Sequence, residues 1–151
     1  MTTVAALHDW LLFAHVLMAM LWVGSVAVVG AFAVRVLRGH DDVGGFVASL
    51  RVIGPALLAP PPALLLASGV WLVSDSPAWS FGQGWVQLAL ALFAAAFAIG
   101  AAHQSRAALA AERAPDRATA ARHLRRWAWG TAVIVVLLVA ATWDMVFKPG
   151  L

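Results

Sequence analysis

Residues 10–36 read WLLFAHVLMAMLWVGSVAVVGAFAVRV, and this stretch decides the fold. From Trp10 to Val34 its only ionisable side chain is His15. A helix that crosses the hydrocarbon core of a bilayer needs about 20 mostly apolar residues, and this run exceeds that length. In lipid every backbone polar group must find its partner inside the segment, which favours a helix. The residues also lack the alternation of apolar and polar positions that a membrane β-strand carries. Residues 10–36 are therefore predicted to form a transmembrane helix. The residues before it (MTTVAALHD) carry no Lys or Arg, and the run is too long for a leader. It reads as a retained helix rather than a cleaved signal.

Three further segments share this character: residues 52–73, 85–103 and 127–147. Of the 151 residues, 63% are hydrophobic and only 11% are charged. A soluble domain has about 45–50% and about 25%, so a soluble globular enzyme, a disordered tail and a coiled coil are excluded. The expected architecture is all-α: a single four-helix transmembrane bundle spanning residues 1–151. There is no cysteine, which removes disulfides, thiolate metal sites and Cys nucleophiles from consideration.

The pI of about 11.1 raises the question of nucleic acid. The placement of the basic residues answers it. Arg35, Arg38 and Arg51 surround the first connection, and Arg106, Arg113, Arg117, Arg122, Arg125 and Arg126 surround the third. The N-terminus and the second connection, residues 74–84, have none, and Lys148 alone follows the last helix. Cytoplasmic loops collect Lys and Arg, so both termini are expected on the non-cytoplasmic side of a bacterial inner membrane. The positive charge reads as topology plus attraction to anionic lipid, with no nucleic-acid partner. The eight tryptophans agree: Trp10, Trp71, Trp79, Trp85 and Trp143 fall at the outer boundary, Trp127 and Trp129 at the inner one, and Trp22 inside a helix. The third connection (residues 104–126) is Ala- and Arg-rich, and Pro115 is expected to separate helical extensions of segments three and four.

Several features carry chemical possibilities. Pro60, Pro61 and Pro62 stand in the middle of segment two, with Pro55 a turn earlier, so that helix is expected to be kinked or broken there. Freed carbonyls at a broken helix can face an ion or solute. Small residues crowd segment three (Ala89 to Ala102) and part of segment one (Gly24 to Ala31), where they allow close helix approach. Ionisable residues inside a bilayer point to function. His15 lies one and a half turns into the first helix, with His8 seven residues earlier on the same face. Asp144 lies near the outer end of the last helix, with Lys148 four residues on, in the favourable acid-then-base order. If the first and last helices are neighbours, His8, His15, Asp144 and Lys148 form one polar site in which Asp144 orients His15. The alternative is a polar interfacial rim with Lys148 snorkelling. His103 belongs at the inner end of segment three, far in depth from His15, while His40 and His123 fall in connections. No Gly-rich phosphate loop, serine elbow or His–Glu–x–x–His motif is present.

The segment HVLMAMLWVG (residues 15–24), the SGVWLV end of segment two and the tail WDMVFKPG resemble a group of small bacterial four-helix membrane proteins. The group includes an uncharacterised family of predicted integral membrane proteins. It is similar more distantly to the copper resistance D domain and to the four-helix bacterial protoporphyrinogen oxidase. The haem-linked members carry a helix-one histidine seven residues before a tryptophan, a spacing that His15 and Trp22 match, and a Lys–Pro tail that Lys148 and Pro149 match. The resemblance implies His15 as the iron ligand of a haem b, with Trp22 and Lys148 at the cofactor and His103 only approximately in place of a helix-three histidine. Ala31 and Gln87 stand where the oxidase has an arginine and a lysine. The functional expectation is a haem-binding, redox-associated membrane protein. The alternatives are a structural or assembly subunit with a membrane-protein partner or a second copy, and a metal-handling or small-solute transport protein.

Overall fold

A computed structural model describes residues 2–54 and 58–149. Its helices are α1 (Thr2–Leu37), α2 (Val43–Ile53), α3 (Pro60–Asp75), α4 (Gly84–Ala98), α5 (Ser105–Glu112) and α6 (Arg117–Phe147). A π-helical segment, Ile99–Gln104, joins α4 to α5 without a break. Among the described residues there is no strand. Three helical stretches are long and apolar enough to cross a membrane: Ala6–Leu37, Gly84–Glu112 and Arg117–Phe147. With 16 residues, α3 is shorter; at 1.5 Å per residue it spans about 24 Å.

The expected second helix over residues 52–73 is replaced by two pieces. Residues 43–53 form α2, and the apolar helix begins only at Pro60. The physical reason lies in the prolines. The first N–H groups of a helix have no acceptor, so Pro60, Pro61 and Pro62 lose nothing in the first turn and cannot follow an earlier one. The α-helical run therefore restarts at the triple proline, with a bend at Ala59 just before it, as the expected kink or break requires. Pro55 lies outside the described residues.

Both helices that start outside the apolar stretches are capped by aspartate. Asp42 accepts from the Gly45 N–H at 2.9 Å to open α2. Asp116 accepts from the Thr119 N–H at 2.8 Å and the Thr119 hydroxyl at 2.9 Å to open α6. The Thr119 N–H, more than its hydroxyl, holds the Asp116 carboxyl below its ordinary range. Pro115 stands in the short gap between α5 and α6, as its restriction on the preceding residue requires. Segments three and four continue well beyond residues 103 and 127 as helix.

Helix α3 packs on α1, α1 on α6, and α6 on α4. Two apolar clusters fill the interior. One joins Trp22, Val26, Leu65, Ala96, Ile134 and Leu138 from the four long helices. The other joins the end of α1 to α2, α5 and α6 through Val36, Phe46, Val47, Ala107, Leu124 and Trp127. Trp127 meets Phe46 edge-on at 5.4 Å, so it packs inside and does not lie at the lipid surface. Trp85 is buried too, while Trp10, Trp71, Trp129 and Trp143 are exposed, as interfacial anchors are.

The small residues of α1 do not all serve packing. A Cβ on Gly30 would stand 2.9 Å from Thr131 Cγ2 of α6, whereas one on Gly24 would meet nothing within 4 Å. Gly30→Leu is therefore expected to cost about 1–3 kcal/mol by overpacking the α1–α6 contact, while Gly24→Leu leaves stability unchanged or slightly raised. Thermal unfolding in detergent checks the pair.

Candidate functional site

The first turns of α1 and the last turns of α3 and α6 meet the start of α4 at one end of the bundle. His8 Nδ1 lies 3.8 Å from Asp75 Oδ2, and its ring lies 6.1 Å from Trp79. Trp79 and Trp85 meet edge-to-face at 5.6 Å. Lys148 Nζ stands 5.3 Å from the Trp79 ring and 5.6 Å from the Trp85 ring. A cation over indole faces is attracted by the ring quadrupole, so Lys148 ties the end of α6 to the turn before α4.

The backbone explains why Lys148 reaches there. Pro149 bars Lys148 from the right-handed helical region. Lys148 takes the left-handed conformation, with φ 42°, and its N–H still donates to the Asp144 carbonyl at 2.8 Å. Leaving the helix carries its side chain to the two indoles. The expected Asp144–Lys148 ion pair does not form among the described residues.

Asp144 is fully buried, at 0% exposure, and neither carboxylate oxygen accepts a hydrogen bond among the described residues. An uncompensated buried charge costs several kcal/mol. Trp85 Nε1 is an equally buried donor without a partner. Since α4 and α6 pack together, an unmet donor and an unmet acceptor share this end of the bundle.

His15 lies deeper, about two turns along α1 from His8. It is buried, and its Nδ1 lies 3.0 Å from Ser68 Oγ on α3. Ser68 Oγ also lies within hydrogen-bond distance of the Leu64 and Leu65 carbonyls, at 2.7 and 3.1 Å. When the hydroxyl donates to one of these carbonyls, Oγ accepts from His15 Nδ1–H, the tautomer that leaves a lone pair on Nε2. Gly69 makes room for the ring: a Cβ there would stand 2.9 Å from His15 Cε1.

Helices α1 and α6 are neighbours, as a joint site requires. The four expected residues nonetheless divide. His8 and Lys148 are linked through Trp79, His15 is held by Ser68 in place of Asp144, and Asp144 stands alone. Trp22 is buried and meets Phe93 at 5.4 Å as part of the core. At the other end of the bundle, His103 packs on Gly130, with Nε2 3.3 Å from the Arg126 carbonyl. Among the described residues no three His, Cys, Asp or Glu side chains come together as a metal site. Ser68, Gly69, Asp75 and Trp79 were not singled out from sequence as partners. The Ser–Gly pair in SGVWLV was a signal for close approach to another helix.

The profile of the family described as predicted integral membrane protein (DUF2269) matches residues 9–149. The chain belongs to this family. The match covers nearly all of the described chain and agrees with the three spans. No curated protein matches the chain, and no solved structure does. The matches lend no support to the more distant likeness to the copper resistance D domain or the protoporphyrinogen oxidase.

The two buried polar groups predict opposite responses. Asp144→Asn removes an unpaired buried carboxylate and is expected to raise the thermal midpoint in detergent at neutral pH. Ser68→Ala removes the partner of buried His15 Nδ1 and is expected to lower stability by about 1–3 kcal/mol. A lower midpoint for Asp144→Asn would mean that the carboxylate has a partner in the folded protein.

Proposed function

We propose that the chain is a single-domain, four-helix protein of the bacterial inner membrane that holds a haem b through His15. In this reading α1, α3, α4 and α6 all span the bilayer. The arginine-rich end faces the cytoplasm, and both termini face outward. The skewed distribution of Arg residues supports that orientation. With 16 residues α3 falls just short of the usual length of a span, about 17–25 residues, and a membrane accommodates such a helix by local thinning.

The observation that carries the haem reading is the state of His15. A metal-bound histidine needs one ring nitrogen free and the other held by a hydrogen bond that fixes the ring. Ser68 Oγ stands at hydrogen-bond distance from Nδ1, and in the tautomer with the proton on Nδ1 the buried Nε2 would be the atom that holds a haem iron. Trp22, two turns along the helix on the same face, would border the cofactor, and Lys148 at the end of the bundle would offer a cation to porphyrin carboxylates. A bound haem b would supply one-electron redox chemistry. The chain's own part is to hold the iron through Nε2, to orient the ring through Ser68 and to keep water away. Metal-ion transport finds less support, because no cluster of ionic ligands forms among the described residues.

The test is an absorption spectrum of detergent-purified protein from haem-replete cells, oxidised and then reduced with dithionite. The expected result is a stoichiometric Soret band that His15→Ala removes and Ser68→Ala shifts or weakens. A flat spectrum from folded, haem-replete protein would overturn the reading and favour an assembly subunit.

A further inference from the structure

Most of the arginines gather at the opposite end of the bundle. Two adjoining, wide-open surface depressions lie there. One, of about 550 Å³, is lined by Thr119, Arg122, His123, Arg125, Arg126 and Trp129 of α6. The other, of about 470 Å³, shares His123 and Arg126 and extends along Ala98, Ile99, Ala102 and Arg106.

Charge and shape divide between them. No acidic side chain lines either cavity among the described residues. Arg35 and Arg51 are paired with Asp41 and Glu112. Arg106, Arg122, Arg125 and Arg126 join no ion pair among the described residues. Arg122 is aimed by its bond to the Thr119 hydroxyl at 2.9 Å. The second depression pairs a polar wall of Arg106, Arg126, His103 and His123 with an apolar wall of small residues that runs onto the π-helical segment. The segment widens the helix there, a feature often found at functional sites. Trp129, 70% exposed, marks the depth of the membrane interface.

We propose that this end of the bundle is a discrete binding site for one anionic glycerophospholipid. Its phosphate sits at Arg126, which both depressions share, between Arg106 on one side and Arg122 and Arg125 on the other, where guanidinium groups suit phosphate oxygens. One acyl chain follows Ala98, Ile99 and Ala102. This goes beyond the general attraction of basic residues to a charged membrane surface, because it requires the apolar groove as well as the charge.

The experiment uses the purified full chain in detergent, with native mass spectrometry and thermal unfolding as readouts. The ligands are phosphatidylglycerol, phosphatidylcholine with the same acyl chains, and inorganic phosphate. Phosphatidylglycerol is expected to remain bound and to raise the midpoint, and the other two are not. The double variant Arg122→Gln/Arg126→Gln is expected to bind phosphatidylglycerol about 30-fold more weakly. Ala102→Phe keeps every charge but fills the groove, and it is expected to lose the bound lipid. Ala98→Phe, one turn earlier, repeats that test should Ala102→Phe fail to fold. Equal retention of phosphatidylcholine, stabilisation by inorganic phosphate alone, or undiminished phosphatidylglycerol binding in both Phe variants would overturn the proposal.

Discussion

A bilayer offers the backbone no hydrogen-bonding partner, and the rest of this structure follows from that constraint. Each apolar stretch must close its own hydrogen bonds, so each becomes a helix. Inside these helices, hydroxyls turn back on carbonyls of their own chain: Ser25 to Leu21 at 2.6 Å, Ser68 to Leu64 at 2.7 Å and Thr142 to Leu138 at 2.9 Å. Where the pattern changes, the change occurs in a form that leaves few groups unmet. The triple proline opens a helix in place of interrupting one. The π-helical segment lets α4 run into α5 without a gap. Aspartate caps appear only where α2 and α6 begin, outside the most apolar stretches.

The same constraint makes the few buried polar side chains informative. His15 and Ser68 satisfy each other across α1 and α3, and Gln104 reaches Thr131 across to α6 at 2.6 Å. Asp144 and Trp85 break the rule, each buried without a partner among the described residues. The bundle therefore has two chemically different ends. One gathers aromatic rings, acids and a single lysine. The other gathers unpaired arginines beside an apolar groove. The proposed haem ligand lies between them, nearer the first, and the proposed lipid site lies at the second.

Much of the fold was legible because long apolar runs leave few alternatives. The first, third and fourth segments became helices that include the expected residues, and Pro115 separated two helical extensions as expected. In the second segment the kink or break expected at the triple proline does occur, but it falls at the first turn of α3, where a helix tolerates proline, and not in mid-helix. Short α2 went unread, because its Gly44 and Gly45 and its charged surroundings look like a connection. At the site, burial of His15 was legible from its place in an apolar run. Its partner was not, since serine on another helix leaves no periodic signal. The i,i+4 spacing of Asp144 and Lys148 misled for a local reason: Pro149 takes Lys148 out of the helix before the pair can form.

The proposed orientation, with the arginine-rich end of the bundle towards the cytoplasm and the aromatic and acidic end outside, can be tested directly. The chain has no cysteine, so single introduced thiols report sidedness cleanly. Ala78→Cys, in the turn before α4, and Ala118→Cys, at the start of α6, probe the two ends. In intact cells a membrane-impermeant maleimide is predicted to label Ala78→Cys at once and Ala118→Cys only after the membrane is permeabilised. The reverse pattern, or labelling of both positions from one side, would contradict the account.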